Sequence, residues 1–181
     1  MSAGTDGDGV IDADVLMNLV ATNQATEILS VRRSPMRVCA VTERELIYIC
    51  DGEGRRVSID LSPLFTAGVL VRVDLTAAET ARYVGLAAEI DDGEAQVLAV
   101  AAIRGLPAAT DDRRARRCAE RLAVPIISTT MLLRAWAESA KPSPMALRET
   151  LIRIERGANH VPARDDPSRA WWDDHARLVD D

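Results

Sequence analysis

The sequence predicts an α/β fold: a three-layer sandwich with a central parallel sheet flanked by helices, continued at its C-terminal side by a helical extension. Short apolar, β-rich runs alternate with helical patterns over the first two-thirds of the chain. Acidic residues recur where a strand pattern passes into a helix. After Ile127 the pattern becomes helical only.

The elements read in order as follows. Val10–Asp12 is an apolar strand, and Asp14–Leu29 a helix whose inner face carries Val15, Leu16 and Leu19. Met36–Val41 is a second strand and Thr42–Ile49 a second helix. Val69–Val73 is a strand followed by the helical stretches Ala77–Glu89 and Gly93–Arg104. Leu106–Ala109 is a strand, Arg113–Leu122 a helix and Val124–Ile127 a last strand. "STTMLLRAWAESA" then forms a helix, "KPSP" breaks it, and "MALRETLIRIERGA" forms another that ends near Gly157. Beyond it the tail is polar apart from Trp171 and Trp172, which dock on the body or on a second subunit. Residues 1–141 read as one domain with 1–9 flexible, and 142–181 as an extension without independence.

The chain has 181 residues, 48% hydrophobic and 28% charged, enough for one domain with a real core. No apolar run reaches the roughly 18 residues of a membrane span, and "MSAGTDGDG" has neither part of a secretion signal. Cys39, Cys50 and Cys118 are isolated in apolar surroundings, as reduced core thiols of a cytoplasmic protein are; zinc needs paired spacing. A net charge of −6 and few aromatics speak against a general nucleic-acid coat or a base-stacking strip. Basic clusters are local: "SVRRSPMR", with Arg32, Arg33 and Arg37, and "DDRRARRCAER".

Each acid has a plain helix-capping reading. Asp14 precedes a helix; Thr42 with Glu45, and Asp91 with Glu94, have capping-box spacing; "TDDR" could be a capped turn. Asp12 resists it, because it ends a buried strand with no basic neighbour in sequence. A carboxylate there is costly unless paired or bound to a cation. Asp111 and Asp112 repeat the situation after another strand. If the two strands are neighbours, acids distant in sequence converge and need a divalent cation or raised pKa values. Oxygen ligands without His or Cys suit Mg²⁺ or Mn²⁺. His160 and His175 fall in the tail and are expected to be solvated. "DGDG" at Asp6–Gly9 lacks the glutamate of a calcium loop, since Met17 stands in its place.

Four segments carry a resemblance. "VIDADVLMNLVAT" resembles the opening segment of PIN-domain proteins, "VTERELIYI" their second block, "IDDGEAQVLAVAAIRGLP" their third, and "LPAATDDRRARRCAERLAVPIIST" their fourth. The match runs from about Val10 to about Ala140. No block is specific alone; four in order on this alternation are. The resemblance implies a metal-dependent ribonuclease, among them the VapC-like toxins of toxin–antitoxin pairs. It implies Asp12, Glu45, Glu94 and Asp112 as catalytic acids, and Asp12, Glu94, Asp112 and Asp111 around Mg²⁺ or Mn²⁺. Thr110 and Asp14 are supporting residues. It also implies hydrolysis of RNA to a 5′-phosphate and a 3′-hydroxyl, a small antitoxin whose basic segment plugs the cleft, and a homodimer. The chain departs from the pattern at Ala13, where a threonine is usual, at Asp14, where Asn or Ser is, and at Glu94, a methylene longer than the commoner Asp.

Arg113, Arg114, Arg116 and Arg117 follow the fourth acid. The buried stripe Ala115, Cys118, Ala119 and Leu122 turns them outward, where they face RNA, a partner or only solvent. Two other classes stay open. One is a PIN-fold binding protein with decayed chemistry, which the loss at position 13 favours. The other is a phosphatase or nucleotide binder, against which stands the lack of GxxxxGK(S/T), of GxGxxG and of a nucleophile elbow.

Overall fold

The computed structural model describes residues 8–51 and 53–177. In chain order the elements are β1 (Gly9–Ile11), α1 (Ala13–Ala21), α2 (Ala25–Ser30), β2 (Met36–Cys39), α3 (Ala40–Glu45), β3 (Tyr48–Cys50), β4 (Arg56–Ser58), α4 (Ser62–Thr66), β5 (Leu70–Val73), α5 (Ala77–Leu86), α6 (Asp92–Arg104), β6 (Ala108–Ala109), α7 (Arg113–Arg121), β7 (Ile126–Ile127), α8 (Thr129–Ala140), α9 (Pro144–Gly157) and α10 (Arg169–Ala176). Five strands form one parallel sheet in the order β5-β2-β1-β6-β7. The chain winds outward from β1 through β2 to β5, then returns to the other side of β1. β1 and β6 therefore flank the switch point, where an open α/β sheet leaves a crevice at its carboxyl edge.

Strand alternation divides the core. Ile11, Met36, Val38, Leu70, Ala109 and Ile127 face a layer built on α1, α2, α8 and α9. Val10, Cys39, Val73 and Ala108 face α5, α6 and α7. The small residues of α6, from Ala95 to Ala101, are buried, which lets that helix lie close over β1.

Several expectations are corrected. The first helix is two. Asn23 adopts a left-handed φ of 59°, and the Thr22 hydroxyl donates to the Leu19 carbonyl at 2.6 Å, so α1 closes there. The second helix starts at Ala40 rather than Thr42. It stops at Glu45, and Ile49 belongs to the antiparallel β3–β4 hairpin, which the sequence reading did not foresee. α4 was also unforeseen.

Of the two dockings open to the tail's tryptophans, the one on the body is seen. Trp172 is wholly buried in the same core as Leu147, Leu151 and Ile154, and its indole N–H donates to Glu155 at 2.8 Å. Trp171 stacks on His175 at 4.6 Å. The N-terminal stretch expected to be flexible lies outside the described residues except for Asp8 and Gly9. Asp8 pairs with Arg37 at 2.8 Å, and Gly9 opens β1. The three cysteines are free thiols.

Candidate functional site

The acids gather at the carboxyl edge of the sheet, around the switch point. Ile11 of β1 sits opposite Ala109 of β6, and the Asp12 amide donates to the Ala109 carbonyl at 3.0 Å. This ladder puts Asp12 beside Thr110. Glu45 ends α3, which follows β2 on the other side of β1. Glu94 lies in the first turn of α6, packed over β1 and α3. Four stretches far apart in sequence thus bring carboxylates to one end of three adjacent strands.

Asp12 is 3% exposed. It holds the N-cap position of α1 with extended backbone (φ −85°, ψ 161°), yet its side chain makes no capping bond along the helix. Asp14, expected to cap, lies instead in the first turn. Burial pushes the Asp12 carboxyl up to about 7, opposed by a hydrogen bond from the Ala13 amide and reinforced by the charges of Asp14, Glu45 and Asp112. Burial, then Asp112 and Asp12, likewise raise Glu94 to about 7, against an accepting bond from the Asp91 amide. That bond is the half of the expected Asp91/Glu94 capping box that forms. Glu45 is shifted up by burial and then by Asp14, Asp91 and Asp92, and Asp14 by burial and then by Asp111 and Asp112. Among the described residues no ion pair reaches Asp12, Glu45 or Glu94.

Gly93 explains how Glu45 comes so near. A Cβ built there would collide with Glu45 Oε2 and lie 2.9 Å from Oε1 and 3.0 Å from Cδ. The glycine is the recess that seats this carboxylate against the start of α6. Thr42, buried, is not the capping partner that its spacing with Glu45 predicts, because Cys39 holds the N-cap of α3.

Asp111 and Asp112 separate into different roles. Asp112 is the N-cap of α7 and accepts from the amides of Arg114 and Ala115 at 2.6 and 2.8 Å; the Thr110 hydroxyl in turn accepts from its amide at 3.2 Å. Asp111, read as a possible ligand, is already coordinated by protein donors. It accepts from the Thr129 hydroxyl (2.5 Å) and amide (3.2 Å), from Asn18 (3.2 Å) and from Arg116 (3.1 Å). His160 Nε2 lies 3.5 Å from it. Both of its carboxylate oxygens are thus engaged by protein donors.

The arginines of α7 are not one solvated face. Arg116 bridges Asp111 and Asp166, the latter at 2.7 Å; Arg113 pairs with Asp165; and Arg114 donates to the Glu89 carbonyl. Arg117 stands exposed at the rim of a cavity of about 500 Å³ that also touches Asp14, Asp112 and His160. Of the second cluster, Arg37 is tied to Asp8 and Arg32 is buried. Asn18, Thr129, His160 and Asp166 are site neighbours that sequence reasoning missed. Only Asn18 left a signal, a polar side chain on the apolar stripe of α1.

A larger concavity, about 830 Å³, lies at the far end of α1 between the β3–β4 hairpin and α9. It holds none of these acids, whereas the smaller cavity is lined by Asp14, Asp111 and Asp112.

The acids present are hard oxygen donors of the kind Mg²⁺ and Mn²⁺ take, and Asp12 with Glu94 carries charge that the protein leaves uncompensated. As they stand, no three His, Cys, Asp or Glu side chains among the described residues group tightly enough to hold a metal ion. The donor chemistry fits a hard divalent ion, although the side chains are not grouped around one point. Among the described residues no helix is long and apolar enough to cross a membrane. The family model described as "DUF3368: PIN domain" matches residues 9–159, beyond the boundary at 141 and across α9. Comparison with curated proteins and with solved structures finds no match.

Proposed function

The chain belongs to the PIN-domain family, a nuclease-type fold, and on that premise we propose that it is a divalent-metal-dependent endoribonuclease. The observation that carries this reading is Asp12: a buried carboxylate at the end of β1, surrounded by like charge and left without a cation of the protein's own. In this reading Asp12, Glu94 and Asp112 hold Mg²⁺ or Mn²⁺, with Glu45 completing the set. Asp111 acts through its bonds to Thr129 and Asn18, fixing the turn that presents Asp112. Bound there, the ion supplies Lewis acidity toward a phosphodiester and lowers the pKa of water near neutrality.

The rest of the chemistry belongs to the chain. Rigid backbone on both sides of Asp12 keeps its oxygens from relaxing away from the crevice. Thr110 holds the Asp112 amide, so Asp112 keeps its place at the head of α7. The acids repel an RNA backbone, and the arginines of α7 supply attraction at the rim. Hydrolysis in this arrangement leaves a 5′-phosphate and a 3′-hydroxyl. A toxin role within a toxin–antitoxin pair, a small antitoxin with a basic segment for the acidic cleft, and a homodimer complete the proposal.

A second reading is a PIN-fold binding protein with weak or lost catalysis. It is favoured by the loose grouping of the acids and by Ala13. Cleavage of an RNA pool with Mn²⁺, Mg²⁺ or EDTA, by wild type and Asp12→Asn, decides. The nuclease reading requires cleavage that needs metal and vanishes with the variant. Equal activity in both proteins, or none in either, rejects it.

A further inference from the structure

The loop between α9 and α10 returns over the carboxyl edge of the sheet and makes two ion pairs and one histidine approach on one patch. Asp165 pairs with Arg113, Asp166 with Arg116 at 2.7 Å, and His160 approaches Asp111 at 3.5 Å. Pro162 and Pro167 bracket the two aspartates, and His160 rests edge-on against buried Trp172 at 5.9 Å. Between the loop and the residues Asp14, Asp111 and Asp112 lies the cavity of about 500 Å³, with Arg117 at its rim.

Simple stabilisation accounts poorly for the outer pair. The Arg113 and Asp165 side chains are 64% and 67% exposed, so their attraction is worth little to the fold. A guanidinium fork donates to carboxylate and phosphate oxygens in the same geometry. Arg113 is also the residue next to Asp112. The arginines nearest the acids therefore already hold anions, and those anions come from the chain itself.

We infer that residues 160–167 are an anionic strap seated on the RNA-contact surface of α7, and that a single-stranded RNA enters by exchanging its phosphates for the carboxylates of Asp165 and Asp166. Arg113 and Arg116 are the exchanged positions, and Arg117 is the first open one. Arg164 of the strap is exposed. The identity of the ligand as RNA rests on the nuclease reading; the exchange itself does not require catalysis.

The test measures binding of a fluorescein-labelled oligouridine by anisotropy in EDTA, as a function of KCl. Asp165→Asn/Asp166→Asn is compared with wild type and with Glu53→Gln/Asp174→Asn, which removes two acidic charges outside the strap. The strap variant is expected to bind about tenfold more tightly than either, with a salt slope steeper by about one to two. Adding Arg113→Gln to it should return much of the gain. Asp165→Asn alone, at an exposed pair, keeps the fold and should show a smaller gain of the same sign. A strap variant no tighter than the charge-matched control overturns the proposal. Cleavage by wild type with unchanged binding in the strap variant rejects the strap alone. Tighter binding in a protein that cleaves nothing rejects the nuclease reading alone.

Discussion

Asp12 and Glu79 are buried alike, at 3% and 1% exposure, and ionise at opposite ends of the scale. Glu79 lies in the first turn of α5, closes a capping box with Thr76, and receives Arg104 Nε at 2.6 Å and Nη2 at 3.1 Å. The arginine holds its carboxyl down to about 2, against the opposing effect of burial. Asp12 has instead Asp14, Glu45 and Asp112 for neighbours, and burial first, then their like charge, drives it up to about 7. Glu79 is given an arginine by the fold, whereas at the switch point the fold withholds the cation from Asp12. Withheld neutralisation marks where an outside cation can act.

The strongest way to break this contrast is Asp12→Asn. It is expected to lower metal-dependent cleavage by at least about 100-fold. In the metal-free protein at about pH 8 it should raise the melting temperature by several degrees, because an uncompensated buried charge is removed. Loss of activity with loss of stability would instead make Asp12 a structural residue. Glu79→Ala should do the reverse. Stranding Arg104 costs about 3–5 kcal/mol, read as a lower midpoint in urea unfolding, with the metal response retained.

The two carboxyls also give opposite pH dependence. Asp12 ionises at 3.8 ordinarily and near about 7 in the fold, so between those values the folded state keeps a proton the unfolded chain has lost. Its contribution is therefore most favourable below 3.8 and is lost as pH rises to about 7, with Glu94 acting in the same sense. Glu79 contributes fully above its ordinary 4.5 and loses that contribution as pH falls toward about 2. Thermal melts in EDTA should fall from about pH 5.5 to about pH 8, and Mn²⁺ should recover stability more at the higher value. A flat profile in EDTA would remove the distinction between the two sites.

The smallest expected effect is at Gly93. Gly93→Ala gains helix propensity of about 0.5–1 kcal/mol and obliges the end of the Glu45 side chain to move. Stability should change little, while Mn²⁺ affinity in titration calorimetry falls several-fold. An unchanged affinity would take Glu45 out of the ligand set.

The sequence displayed the sheet because buried parallel strands and the helices between them have distinct periods, and it displayed Asp12 because an acid at a strand end violates that pattern. The roles of Asp111 and Asp112 were not separable in sequence. Their difference is made by Asn18 and Thr129, brought from other elements. That Arg113 and Arg116 meet carboxylates of the chain itself was not legible, because Asp165 and Asp166 lie some fifty positions away. In the three-residue strands β3 and β4 alternation does not register, so the start of β3 passed for the end of a helix and β4 for no element at all.

Trp172 has a consequence for motion near the cleft. Its ring is sunk in the core, so the polypeptide after α9 is moored downstream as well as upstream. Asp165 and Asp166 can bow outward but cannot drift off, and their local concentration around Arg113 and Arg116 stays in the millimolar range that a short tether maintains. Any ligand at those arginines meets a rival that dilution never removes.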